Sequence, residues 1–169
     1  FRAANDKNRK GYIVYRSVNG ASFAPIDTFN YTATGTLQYV DNHLDTRGKT
    51  HAYFVRSLDS CGNVAQPHDT HQVVLLDVSA QNSYNRLSWT HYRGFGSWRY
   101  TVERRSPGTS WMKLSTTVYP FFDDHAVRCD TLYEYRILTE ELFTLYSSLS
   151  NTDTATAYEI NKPLVPDII

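Results

Sequence analysis

The sequence predicts an all-β chain of two tandem antiparallel β-sandwiches, the first lacking its opening strands, and three observations lead there. Residues 1–26 read like residues 89–114 displaced by a constant 88, so that Phe1 aligns with Trp89, Tyr12 with Tyr100, Val14 with Val102, Arg16 with Arg104, Phe23 with Trp111 and Ile26 with Leu114. One supersecondary unit is used twice. Composition is the second observation: 13 Tyr, 8 Phe and 3 Trp, with Val, Ile and Thr throughout and a single Met, suit half-buried pleated strands rather than helices. The third is length, since 169 residues hold two units of roughly 85, near the lower end of domains that enclose their own core. The expected division is residues 1–75, residues 76–160 and a C-terminal linker at 161–169, with the boundary near Leu76.

In the first copy Lys10 to Ser17 alternates in Tyr, Ile and Val and ends at the turn signal Asn19-Gly20. Strands are expected over Ala21 to Asp27, Thr36 to Val40 and His51 to Leu58, the last broken at Asp59-Ser60-Cys61-Gly62-Asn63. Gln72 to Ser79 is read as one run that carries the chain into the second copy. There the order repeats: Asn85 to Thr90, Arg99 to Arg105, a turn at Ser106-Pro107-Gly108, then Ser110 to Thr116, Tyr119 to Asp123, Leu132 to Thr139 and Tyr146 to Tyr158. Thr139 to Leu142 is read as one helical turn. The tail, with Pro163 and Pro166, reads as extended linker. Trp89 is preceded by two strand-like runs and Phe1 by none, which is the ground for expecting the first copy to be incomplete at its start.

Short strands with turns every 8–12 residues describe an antiparallel sandwich, and at Leu87-Ser88-Trp89, Tyr100-Thr101-Val102 and Tyr133-Glu134-Tyr135-Arg136-Ile137 the chain resembles the fibronectin type III family. The resemblance implies that Trp89 is the core tryptophan of a second strand, that Tyr100-Thr101-Val102 belongs to a third, and that Tyr133, on the strand that also holds Tyr135, is a tyrosine corner whose hydroxyl bonds the backbone just upstream. The first copy sets Tyr53 and Val55 opposite Tyr135 and Ile137 but has His51 at the corner position. Gly11 to Ser17, Asp59 to Asn63, Leu87 to Tyr92 and Ser150-Asn151 together are similar to the repeats ahead of the gliding-motility-associated C-terminal sorting domain in surface proteins of Bacteroidetes, and Pro163 to Ile169 is similar to the segment leading into that domain. What this implies is export by the type IX secretion system, a place on the cell surface, and an export signal elsewhere in a longer chain.

Function is less legible. The 17 basic residues balance the 17 acidic ones without a run of either sign, so no basic footprint points to nucleic acid or an anionic membrane. No apolar run approaches the roughly 20 residues that span a bilayer. Phosphate-cradling glycine loops, nucleophile elbows and Cys-x-x-Cys pairs are absent from the sequence, and neither cofactor nor metal is expected. Cys61 and Cys129 fall in turns that the family places at opposite poles, too far apart to bridge. His68 and His71 offer imidazoles, but a spacing of three puts them on opposite faces of a strand. Asp123, Asp124 and His125 form the densest titratable cluster, with Asp123 expected at a strand end accepting turn backbone bonds.

The most suggestive loop is Thr90 to Arg99, where Tyr92, Phe95 and Trp98 crowd together with Arg93. That mixture suits stacking on sugar rings or anchoring a protein partner. In the family this loop faces the preceding domain, so the same aromatics also fit a stiffened junction. The expected function is a non-catalytic spacer or adhesion module of a secreted or surface protein, whose partners are neighbouring domains of a larger chain. The alternative is a carbohydrate- or protein-binding module using Tyr92, Phe95 and Trp98. An open sheet edge on the first domain is expected to favour self-association.

Overall fold

The structure, a computed structural model, describes residues 8–31, 38–42, 44–46, 48–94, 96, 98–143 and 146–160. Every element among them is a strand, and none of the described residues forms a helix long and apolar enough to cross a membrane. The described residues fall into two units: unit 1 holds 8–73 with 92–94, and unit 2 holds 74–91 with 96 and 98–160.

Unit 1 is built on β1 (Arg9–Val18), β2 (Ala24–Asn30), β3 (His51–Asp59) and β4 (His71–Gln72), in the antiparallel order β2-β1-β3-β4. The alternation in β1 puts Tyr12 and Val14 inward, where both are buried. Asn19 and Gly20 turn the chain with φ of 50° and 76°, the sign that a two-residue hairpin turn requires, and the Asn19 side chain accepts from the Thr50 N–H at 2.9 Å. On the edge strand β2, Pro25 sits beside a register shift that skips Ile26 between Val14 and Tyr15, a place where a residue without an N–H is tolerated. Gly11 is needed for close approach: a Cβ there would stand 2.4 Å from the Phe29 carbonyl oxygen. Gly11→Ala is therefore expected to splay β1 from β2 at a cost of about 1–3 kcal/mol, read as a lowered midpoint in far-ultraviolet circular dichroism melts.

Unit 2 contains β5 (Leu76–Gln81), β6 (Tyr84–Trp89), β7 (Trp98–Arg105), β8 (Met112–Thr117), β9 (Phe121–Asp124), β10 (Leu132–Glu141), β11 (Ser147–Leu149) and β12 (Asp153–Thr156). One sheet runs β5-β6-β9; the other runs β11-β10-β7-β8, with β12 also on β10. Three strands packed against a sheet centred on the third and sixth make this an antiparallel β-sandwich of the fibronectin type III and immunoglobulin-like kind. Leu76, Leu87 and Trp89 from the first sheet and Tyr100, Val102, Tyr135 and Ile137 from the second are all buried, and the Trp89 and Tyr100 rings meet edge to face at 5.4 Å. The repeat is carried into space, because β2-β1-β3-β4 of unit 1 reproduces the order β8-β7-β10-β12.

Four expectations are corrected. Gln38 to Val40 is not a strand; the matching β9 of unit 2 pairs with β6, and the described residues of unit 1 form a single sheet that offers no such partner. The run from Gln72 splits, since Ala52 and Tyr53 hold β4 in unit 1 before β5 begins. Thr139 to Glu141 continues β10 instead of turning, because it pairs with Tyr100, Arg99 and Trp98. The run from Tyr146 divides into β11 and β12 at Ser150-Asn151, where side chains replace ladder bonds. Ser150 Oγ accepts from the Ile137 N–H at 2.8 Å, and the Asn151 amide spans Leu76, accepting from its N–H at 2.8 Å and donating to its carbonyl at 2.9 Å.

Candidate functional site

Tyr92 and Trp98, the two described loop aromatics, are divided between the two units. Tyr92 is 4 % exposed and belongs to unit 1, its hydroxyl hydrogen-bonded to His71 Nδ1 at 2.9 Å. Arg93 is exposed, and its carbonyl accepts from the Gln72 N–H at 2.8 Å. Trp98 opens β7 in unit 2, half-buried with its ring 4.7 Å from Tyr100 and 6.4 Å from His91. Phe95 lies outside the described residues. Tyr92 and Trp98 are thus parts of two different units.

Chemistry concentrates instead on inward-facing polar residues. In β7 the inward positions are Tyr100, Val102 and Arg104, so the alternation that builds the core also drives a guanidinium into it. A buried charge needs a partner, and β9 supplies one. Arg104 Nη1 donates to Asp124 Oδ2 at 2.7 Å and to the Ala126 carbonyl at 2.8 Å. Tyr135 on β10 donates its hydroxyl to the same Asp124 oxygen at 3.0 Å and accepts from Asn85 Nδ2 on β6 at 2.9 Å. Four strands, two from each sheet, meet in this clasp. Its members are buried, and burial together with the Asp124 carboxylate pushes the Tyr135 phenol far up.

Unit 1 contains the same triad. Arg16 Nη1 donates to Asp41 Oδ2 at 2.7 Å, and the Tyr53 hydroxyl donates to the same oxygen at 3.1 Å. Arg16 matches Arg104 in the repeat and Tyr53 matches Tyr135, so Asp41 takes the part of Asp124 although it lies in no strand. Burial, then the neighbouring carboxylate, push the Tyr53 phenol up to about 12. A raised folded value means that the folded state holds its proton longer, so the contribution to stability is complete below about pH 10 and is lost as pH rises toward 12. A phenolate absorbance titration is expected to show Tyr53 ionising after the bulk of the 13 tyrosines, and Tyr53→Phe to delete that delayed step.

The remaining sequence candidates have structural partners. Tyr133 accepts from the Arg128 N–H at 3.3 Å, and the Arg104 guanidinium lies 4.6 Å over its ring. At the matching position His51 is buried, with Nε2 2.9 Å from the Asp45 carbonyl. Asp123 does not accept turn backbone bonds as expected. It faces outward and takes two bonds from Arg86 at 2.9 and 3.0 Å, which hold its carboxyl below the usual range. The turn bond goes to Asp124 Oδ1, from the Ala126 N–H at 3.0 Å. This follows from strand parity, since Asp124 is paired with the inward Asn85 and Asp123 with the outward Arg86. Cys61 and Cys129 are free thiols.

The outer face of the larger sheet carries charges in opposed pairs: Glu134 faces Arg105, Arg136 faces Glu103 and Glu140 faces Arg99 across β10 and β7. Arg105 bonds Glu134, Arg136 Nε donates to Glu103 at 2.6 Å, and Arg99 stands 3.7 Å from Glu140. Trp111 lies beneath the guanidiniums of Arg105 and Arg136, at 4.4 and 4.2 Å. The described residues hold no group of three or more His, Cys, Asp or Glu able to take a metal ion. Sequence reasoning missed Asp41, Asn85 and the exposed side chains of Leu142, Phe143 and Tyr146 beyond β10. The apolar run after Glu140-Glu141 was a signal for the last of these.

No protein-family model matches the chain, and no curated protein does. Among solved structures the chain is similar to the FN1–FN3 domains of chicken CNTN1, at 15% identity over 90% of this chain and 56% of that one, with a TM-score of 0.46. It is similar also to a run of titin domains, at 16% identity over 88% of this chain and 55% of that one, with a TM-score of 0.44. A β-1,2-glucanase from Parabacteroides distasonis matches at 12% identity over 90% of this chain and 28% of that one, with a TM-score of 0.46. The chain spans less than two thirds of each of these structures.

Proposed function

We propose that the chain is a non-catalytic spacer within a secreted or cell-surface bacterial protein, holding neighbouring domains at a distance from the envelope. The observation that carries this reading is the twice-used inward clasp. Two polar clusters, Arg16–Asp41–Tyr53 and Arg104–Asp124–Tyr135, hold their own strands and segments together, and among the described residues they turn inward instead of forming an open polar set of the kind that acid–base or nucleophilic chemistry uses. The opposed charges over β7 and β10 and the burial of Tyr92 support it in the same way. Placement on the surface through the type IX system follows from the motif resemblance, and loss of surface display in a host without that pathway tests it.

The spacer reading is tested directly by titrating the full chain with soluble polysaccharides while following tryptophan fluorescence and heat. The expected result is no saturable response up to about 1 mM, the limit of weak binding near 4 kcal/mol. Saturable binding that Trp98→Phe weakens would replace the spacer with the carbohydrate-binding alternative.

A further inference from the structure

The two clasps share chemistry but not enclosure. In unit 2 the side chains of Arg104 and Asp124 are 10 % and 2 % exposed, whereas those of Arg16 and Asp41 in unit 1 are 22 % and 7 % exposed. Asn85 adds a fourth member to the unit 2 clasp, and the Ala126 carbonyl and N–H bond Arg104 and Asp124. Asp124 is fixed in β9, which is paired along its length to β6. Asp41 is in no strand; beside its bonds to Arg16 and Tyr53, its segment contributes the ring of Tyr39, 6.4 Å from Phe29. Water reaches the unit 1 clasp more easily, and a hydrogen-bonded charge pair is weakened by that access.

We propose that the chain is a stepwise spacer, in which release of the Asp41 clasp opens unit 1 while the Asp124 clasp keeps unit 2 folded. Under a load or a mild denaturant the first unit lengthens the connection and the second remains a folded bead. Local opening of this kind is drawn from the parts of a structure with the least buried, most solvent-accessible bonds. The inference rests on the spacer reading for its purpose, but the order of opening is a property of the chain alone.

The tryptophans make the order measurable, because Trp89, Trp98 and Trp111 all lie in unit 2. Urea unfolding of the full chain is followed by tryptophan fluorescence, which reports unit 2, and by far-ultraviolet circular dichroism, which reports both units. The expected result is a first dichroism transition at a urea concentration where fluorescence is unchanged. Asp41→Asn is expected to shift that first transition to lower urea and leave the fluorescence midpoint in place, and Asp124→Asn to shift the fluorescence midpoint. Coincident transitions in the unsubstituted chain, fluorescence changing first, or an Asp41→Asn effect on the fluorescence midpoint would each overturn the proposal. None of these outcomes involves a ligand, so a failure here leaves the spacer reading standing, and saturable polysaccharide binding would remove that reading while leaving the unfolding order intact.

Discussion

Asp124→Ala is expected to destabilise unit 2 by about 3–5 kcal/mol, the cost typical of stripping one partner from a buried ion pair. The carboxylate accepts from Arg104 at 2.7 Å, from Tyr135 at 3.0 Å and from the Ala126 N–H at 3.0 Å. Removing it leaves the buried Arg104 guanidinium with the Ala126 carbonyl as its remaining acceptor in the clasp. It also leaves the Tyr135 hydroxyl accepting from Asn85 with its own proton unplaced. Such groups carry their whole desolvation cost into the folded state. Asp124→Asn keeps the shape and one acceptor, so its cost is expected to be smaller, about 1–3 kcal/mol. Replacing Arg104 and Asp124 together by Met and Leu is expected to recover most of the loss, since well-packed apolar residues substitute for a buried pair at little cost. Guanidinium melts followed by tryptophan fluorescence measure all three. An Asp124→Ala loss below about 1 kcal/mol would place the clasp among solvent-screened surface pairs.

The clasp also marks how far the sequence could be read. Period-two alternation located most of the strands, because Tyr12, Val14 and Tyr100, Val102 fall in phase with burial. The same phase contains Arg16 and Arg104, two residues on, and a charge in core phase is itself a request for a buried partner. What alternation leaves open is the partner's address. Asp41 and Asp124 lie 25 and 20 residues after their arginines, a spacing set by the path of the intervening chain rather than by any local rule. The aromatic loop is hard to read from sequence for a related reason. Tyr92 and Trp98 are six residues apart, yet they pack with different units, and proximity in sequence does not fix which core a ring enters. Ser150-Asn151 was visible as a motif, but its use as a side-chain bridge to Leu76 spans 75 residues.

Trp89→Ala is the second large effect, at about 3–5 kcal/mol. The indole is buried on β6, edge-on to the fully buried Tyr100 at 5.4 Å, so its removal opens a cavity between the two sheets that neighbouring strands, hydrogen-bonded on both sides, relax into only partly. Trp89→Phe is expected to cost less than about 1.5 kcal/mol. The indole nitrogen makes no hydrogen bond to the protein, so the smaller ring forfeits packing but no polar partner, and the first copy of the repeat has Phe1 at the matching position. Thermal melts by circular dichroism, with Trp98 and Trp111 as remaining fluorescent reporters, compare the two variants. If Trp89→Phe proved as damaging as Trp89→Ala, the core would depend on the shape of the indole itself, and the equivalence of Phe1 and Trp89 in the repeat would not hold.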